Sequence, residues 1–317
     1  MINTDKTFCT YENIYYEMWE IAGRYTEIAQ FQVIGKSHDD RMIPMVQIGK
    51  GAETIFCIAG LSGRDQCMPV YLMHMLKEYV KAWECRWKLE NLYDLRALLE
   101  DWKICFIPLL NPDGYEIYEK DFYAIRNPIY RQMLRMQEIP CKEFICNSRG
   151  INLRKNFPTQ YYRRKQIHSQ PASENETKAL IKENTGRGLL SFGYSERQIV
   201  YFRQSQSFAA NQKSYRLARH LQKQAGLNAD KAKYHLDDVE PTGKRGYGSP
   251  EQFYAEICRQ PAFRYHAEAE EMRWFLIRQN MRKYIHYRWN IFFHSDFSRM
   301  YPGRHYNACV GQKIPVY

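Results

Sequence analysis

The chain has 317 residues, with 46 lysines and arginines against 35 acidic residues, a formal charge of +11 with histidine neutral. Hydrophobic residues make up 44% and charged residues 26%, which excludes a largely disordered chain and a small disulfide scaffold. No apolar run approaches the roughly 20 residues of a membrane helix, and the stretch Met1–Lys6 has no basic-then-apolar leader pattern.

Taken in chain order, the first predicted element is a helix over Tyr11 to Ala22. Tyr11, Ile14, Tyr15, Met18 and Ile21 fall at helical spacing behind the capping residue Thr10. Gln32 to Lys50 reads as two extended pieces around the turn formers Gly35 to Arg41. Thr54 to Ala59 is a continuous apolar run, as expected of a strand buried on both faces. A helix follows near Pro69, with Leu72, Met73, Leu76 and Val80 on one side.

Ile104 to Leu110 is a second buried strand, ending at the turn sequence Asn111-Pro112-Asp113-Gly114. Ser173 with Glu176 reads as a capping box opening another helix. Leu189–Phe192 and Ala262–Tyr265 are short strands. Residues 163–173 and 236–250 read as loops, and Trp274 to Ile285 as a final helix. Strands alternating with helices predict an α/β fold, a single α/β/α sandwich. The expected division is one domain over residues 1–290 and a C-terminal tail over 291–317.

The nine cysteines are odd in number and form no Cys-x-x-Cys pair. They are expected to be reduced, mostly in the core, in a cytoplasmic protein. The densest basic stretch, Arg154 to Lys165, includes Phe157, Tyr161 and Tyr162. It leaves a nucleic-acid or anionic surface as one reading, but there is no Gly-rich phosphate loop and no RNA-recognition signature, so nucleic acid is not the expected partner. Nor is a membrane.

Ligand sites in open α/β sheets collect past the carboxyl ends of strands. Those places are Ser62–Asp65, Asn111–Gly114, Gly193–Tyr194 and His266. Their order and flanks carry a resemblance. Asn111-Pro112-Asp113-Gly114, Arg149-Gly150-Ile151-Asn152-Leu153-Arg154-Lys155-Asn156-Phe157-Pro158 and Ser173-Glu174-Asn175-Glu176-Thr177 resemble motifs of the zinc carboxypeptidase family. So do the opening strands around Ile34–Ser37 and Arg41–Gly51.

The resemblance implies a mixed, mostly eight-stranded sheet. It also implies where a zinc site would lie. The family's His-x-x-Glu ligand pair matches Ser62 and Asp65, its third ligand matches Gly193, and its general-base Glu matches His266. A hydroxyl is a poor zinc donor, glycine has no side chain, and Asp is roughly 1–1.5 Å shorter than Glu, against a tolerance of about 0.2 Å. The expectation is therefore no metal at these positions and no cofactor. The catalytic candidate is His266, at the general-base position.

On the substrate side, the family's Asn-Arg carboxylate grip matches Arg154 and Lys155, and Arg64 matches an Arg that contacts substrate backbone. The family's further cleft cation falls near Ile145 and its mobile Tyr near Gly243, so neither is kept. Arg64, Arg154 and Lys155 are the binding candidates, and the expected partner is a peptide or protein C-terminus or another carboxylate. The leading reading is a catalytically degenerate peptidase that binds such ligands. The alternative is an active metallocarboxypeptidase with a site rebuilt from Asp65 and His266, supplemented by an unplaced donor such as Asp113, His235 or Glu268, with zinc as cofactor. A Ser62–His266–Asp65 nucleophile is a weaker alternative.

Overall fold

The computed structural model describes residues 9–89, 93–160, 170–183, 186–194, 197–205, 207–227, 234–241 and 247–267. The predicted helix at Trp274, the tail over 291–317, Glu268, Gly243 and Cys309 lie outside the described residues.

Helix α1 (Tyr11–Arg24) begins where expected, with Thr10 Oγ1 accepting from the Asn13 amide at 3.2 Å. Its buried stripe is Tyr11, Ile14, Met18 and Ile21. Strands β1 (Ala29–Lys36) and β2 (Met42–Ile48) pair antiparallel, followed by β3 (Glu53–Ile58) and the long helix α2 (Cys67–Glu84). A two-stranded ribbon, β4 (Lys88–Leu89) with β5 (Tyr93–Asp94), leads to α3 (Leu95–Asp101) and β6 (Trp102–Ile107). Then come α4 (Pro112–Lys120), α5 (Pro128–Arg135), α6 (Asn175–Lys182) and β7 (Gly188–Tyr194). The described chain closes with β8 (Gln198–Phe202), α7 (Phe208–Leu227), β9 (His235–Val239), α8 (Pro250–Glu256) and β10 (Ala262–Ala267).

Eight strands form one mixed sheet in the order β1-β2-β6-β3-β7-β10-β8-β9. The central β6, β3, β7 and β10 run parallel, which places all their carboxyl ends on one edge. Apolar clusters cover both faces. One joins α1 and α2 to Ile55, Phe106, Phe192 and Phe263; the other sets Phe56, Ile107, Leu189 and Phe202 against Phe157 and Phe253. This is the α/β sandwich predicted above. Among the described residues, no helix is long and apolar enough to cross a membrane.

Local readings needed correction. Asn111-Pro112-Asp113-Gly114 is not a free turn but the start of α4. Asn111 is the N-cap, its side chain accepting from the Gly114 amide at 2.9 Å, and Pro112 takes the first turn, where its missing N–H costs nothing. The capping box at Ser173 does not form. The helix starts at Asn175, Ser173 Oγ donates to Glu174 Oε1 at 2.7 Å, and Glu176 accepts instead from Asn147. A buried cross-chain polar network outbids the local cap. The loop expected over 236–250 contains β9, a polar strand at the sheet edge. Cys57 and Cys105 are buried as expected, but Cys85 is exposed; the eight described cysteines form no disulfide with one another.

Candidate functional site

Past β3 the chain turns so that the Asp65 amide donates to Ser62 O at 3.0 Å. Gly63 is needed there because a Cβ would lie 2.4 Å from Gly114 O. The turn drives Asp65 inward, to 3% exposure, and leaves Arg64 exposed. Asn111 fixes the turn to its neighbours, donating through Nδ2 to Leu61 O and Cys146 O, each at 3.2 Å.

Asp65 is the most anomalous group of this edge. No side chain hydrogen-bonds either carboxylate oxygen, and the donors that act on it are the backbone amides of Met68 and Gly60. Burial raises its pKa to about 7, opposed mainly by the charge of Arg154. The folded value is raised, so between about pH 4 and 7 the unfolded chain releases a proton that the fold retains, and stability falls across that window. Asp65→Asn is expected to remove this slope and raise stability at pH 8 by on the order of 3 kcal/mol, with little effect at pH 4. Urea denaturation at the two pH values measures both; equal effects at the two would contradict the assignment.

Arg154 arrives on a short 3₁₀ turn, Leu153–Lys155, where its own amide donates to the N-cap Asn152 Oδ1 at 3.0 Å. That turn is pinned to the start of α8 by Gly248. At φ +70°, with the Lys155 carbonyl 2.6 Å from where a Cβ would sit, this position requires glycine. The Phe157 amide donates to Gly248 O at 2.8 Å, and the Gly248 amide to Thr159 Oγ1 at 3.0 Å. Neighbouring residues of the turn point differently. Arg154 reaches inward, its side chain 20% exposed, while Lys155 is exposed with Nζ 5.6 Å from the Tyr247 ring centroid. The structure therefore does not gather Arg64, Arg154 and Lys155 into one buried grip.

What surrounds Arg154 comes from β7, β10 and α8. In the parallel register Ser191 faces Arg264 and Gly193 faces His266, all four on one side of the sheet. Glu251, fully buried on α8, receives Arg264 through two bonds, Nε to Oε1 at 2.8 Å and Nη2 to Oε2 at 2.6 Å, and also accepts from Ser191 Oγ. Arg154 Nη1 lies 3.7 Å from Glu251 Oε1. Burial alone would raise the Glu251 pKa, but Arg264 and Arg154 outweigh it and hold the carboxylate at about 2. His266 is pushed down to about 3 by burial and then by Arg264 and Arg154, so its imidazole is neutral at physiological pH.

Gly193 has no side chain, and its slot is filled from two sides. A Cβ there would meet His266 Cδ2 at 3.0 Å, His266 Nε2 at 3.1 Å and Arg154 Nη2 at 3.2 Å. Ser62 is half-buried, and among the described residues no hydrogen bond joins it to His266, whose Nδ1 is unpaired. The serine-nucleophile arrangement is thus not assembled. His235 is exposed on the edge strand, away from this place. Sequence reasoning missed Glu251, Arg264 and Ser191. The period-2 placement of Arg264 and His266 on one strand was a usable signal for the second of these.

A separate polar cluster lies beside this edge. Asp113, fully buried, accepts from Ser37 Oγ and Ser148 Oγ at 2.7 Å and from Arg41 Nη1 at 2.9 Å. Next to it, His38, Glu174 and Glu176 present donor atoms within 4.8 Å of one another, a set that could hold a metal ion. Their lone pairs are already addressed by protein donors. Asn147 Nδ2 donates to Glu174 Oε2 at 2.7 Å, Arg149 Nη1 to Glu174 Oε1 at 3.3 Å, and the Asn175 amide to His38 Nε2 at 3.3 Å. Glu176 is raised to about 8 by burial and by Asp113 and Glu174. The motif residues thus build a carboxylate–amide network that ties the loop after α5 to α6.

Comparison with known proteins identifies this scaffold. The family model described as zinc carboxypeptidase matches residues 14–293.

The chain belongs to the zinc carboxypeptidase family.

Metallocarboxypeptidase A of Trichophyton rubrum is 24% identical over 165 residues, covering 50% of this chain and 35% of that protein. This chain thus matches about a third of that curated relative's length. Among solved structures, bovine thrombin-activatable fibrinolysis inhibitor in complex with tick carboxypeptidase inhibitor superposes with a TM-score of 0.63 at 15% identity, over 82% of this chain and 86% of that one. Carboxypeptidase A from Helicoverpa armigera gives 0.62 at 13% identity, over 83% and 65%. These likenesses establish the zinc carboxypeptidase fold for this chain. In that frame Ser62, Asp65, Gly193 and His266 stand together at the carboxyl edge of the parallel strands. Zinc needs three protein donors around one open position. A half-buried hydroxyl, a fully buried aspartate and a glycine whose side-chain slot is filled by His266 and Arg154 do not supply such a set.

Proposed function

We propose that this zinc carboxypeptidase-like protein binds peptide or carboxylate ligands without cleaving them. The observation that carries the reading is the packing of Arg154 and His266 over Gly193, with Arg154 Nη2 3.2 Å from the point where a side chain would begin. A fixed cation stands where, by the motif correspondence, a metal ligand would project. A guanidinium neither acidifies a bound water nor leaves a coordination position for substrate, so the acceleration that zinc supplies has no source here. His266 does not replace the general base either, because its neutral form is too weak a base for a water that no metal activates.

The test is metal content by mass spectrometry after mild zinc loading and desalting, with a parallel assay for release of C-terminal residues. Less than about a tenth of an equivalent and no release are expected. One equivalent of zinc with chelator-sensitive hydrolysis would sink the proposal. Retained metal would be placed by substitution. Loss with His266→Ala would indicate a site rebuilt from Asp65 and His266. Loss with Glu176→Gln would indicate the His38–Glu174–Glu176 cluster, whose donor spacing gives that second reading its support.

A further inference from the structure

Strand β1 closes one edge of the sheet, and among the described residues it pairs with β2 alone. Antiparallel pairing turns every second residue's N–H and C=O away from its neighbour. The Gly49 amide donates to Ile28 O at 2.9 Å, so in this register Ile28, Gln30 and Gln32 bond to β2, while Phe31 and Val33 point their backbone outward. Two details agree. The Ala29 amide turns from β2 to donate to Tyr25 O at 2.8 Å, and Val33 stands opposite Pro44, which has no N–H to offer. An exposed edge is usually blunted by charge, proline or a bulge. Here the bulge lies between Val33 and Gly35 and the strand's single charge is Lys36, both past the stretch 29–33.

Beside this edge lies an aromatic flank of α1. Phe31 meets Tyr15 edge-on with ring centroids 5.4 Å apart, and Tyr15 meets Tyr16 at 5.5 Å. Trp19 follows one helical turn on from Tyr15, and Tyr16 and Trp19 are each 60% exposed. The surface is locally balanced in a chain of net charge +11. Glu12 and Glu17 pair with Lys120 and Lys77, which leaves the exposed Glu20 and Glu27 against Arg24 and Lys36.

We propose that this edge is an interface between two copies of the chain, β1 pairing antiparallel with β1 of the second copy so that the sheet runs on through both. Phe31 of each copy then faces Val33 of the other, and the outward N–H and C=O groups of these residues satisfy one another. The symmetry axis stands perpendicular to the sheet, so both α1 helices lie on one face, flank to flank, and the exposed Tyr16 and Trp19 of each close on the other copy. Charge selects this occupant. In that register Lys36 at the end of one strand lies beside Glu27 just before the start of the other, at both ends of the ribbon, so one sequence complements itself. A parallel alignment would set lysine on lysine and glutamate on glutamate. The interface makes no use of the cleft residues.

Sedimentation equilibrium of the full chain over about 1–100 μM is expected to show a monomer–dimer equilibrium with a dissociation constant on the order of 10 μM or tighter. Val33→Pro removes an outward N–H that the β2 ladder does not use, and Trp19→Ser removes exposed aromatic surface. Each should weaken the dimer at least about tenfold. Circular dichroism establishes that the variants are folded, and the wild-type protein decides alone if they are not. Hydrogen exchange locates the interface: the Phe31 and Val33 amides should be protected in the dimer and exchange faster on dilution. A monomer at about 100 μM overturns the proposal. In that monomer, protected Phe31 and Val33 amides would mean that another segment of this chain covers the edge, and free exchange that nothing does. A dimer in which these amides exchange freely, or which both folded variants leave intact, lies on a different surface and overturns it as well.

Discussion

Glu251→Gln should lower stability at pH 7 by about 3–5 kcal/mol, the cost of breaking a buried ion pair from one side. Glu251 is fully buried, takes both forks of Arg264 and also neutralises Arg154. Removing its charge leaves two guanidinium groups, 15% and 20% exposed, with the buried Asp65 as the remaining anion that acts on Arg154. His266, already held neutral, offers no relief. For a domain of this size the melting temperature should fall on the order of 10 °C. The pH dependence gives the mechanism. The folded pKa of about 2 is depressed, so its stabilisation is complete above about pH 4.5 and disappears as pH falls towards 2. The gap between wild type and Glu251→Gln in urea denaturation should therefore shrink between pH 5 and 3. A difference below about 1 kcal/mol at pH 7 would show that Glu251 is not the anion that organises this edge.

The fold was legible because its strands are written in continuous apolar runs and its motifs fall at strand ends. Thr54–Ala59 and Ile104–Leu110 announce buried parallel strands, and the motif order supplied the sheet around them. Elements without that contrast were not legible. Strand β9, His-Leu-Asp-Asp-Val, is polar because it sits at an edge with one neighbour, so its pattern resembles a loop. Helix α7 carries so many polar residues that its apolar spacing is faint. At the site, the sequence shows in one letter each that Ser62 offers only a hydroxyl and Gly193 no side chain. What filled the space could not. Arg154 looked like half of a surface grip because adjacency in the chain suggested that it worked with Lys155. The 3₁₀ turn instead separates them, sending one inward to Glu251 and the other out over Tyr247. Arg264 looked like an ordinary strand residue until its parallel partner proved to be Ser191 and its acceptor a helix residue 13 positions earlier.

Reinstating the family's donors should fail to restore zinc unless Arg154 is removed as well. The fourfold change Ser62→His, Asp65→Glu, Gly193→His and His266→Glu rebuilds the ligand and base types. It leaves the Arg154 guanidinium 3.2 Å from the new Cβ at position 193. Unit like charges about 4 Å apart cost about 4 kcal/mol near a protein surface, and a divalent ion doubles that. A penalty of even half this size lowers affinity about a thousandfold. The fourfold variant should thus keep less than about a tenth of an equivalent of zinc after desalting. Adding Arg154→Asn should bring retention close to one equivalent, while Glu251 remains neutralised by Arg264. Circular dichroism and thermal melts establish that both variants are folded before metal is measured. Equal zinc in the two would mean that Arg154 is not the element that displaces the metal. A folded fivefold variant that takes none would mean that positions 62, 65 and 193 do not correspond to the family's ligands, and the reading of this cleft would have to begin again from His38, Glu174 and Glu176.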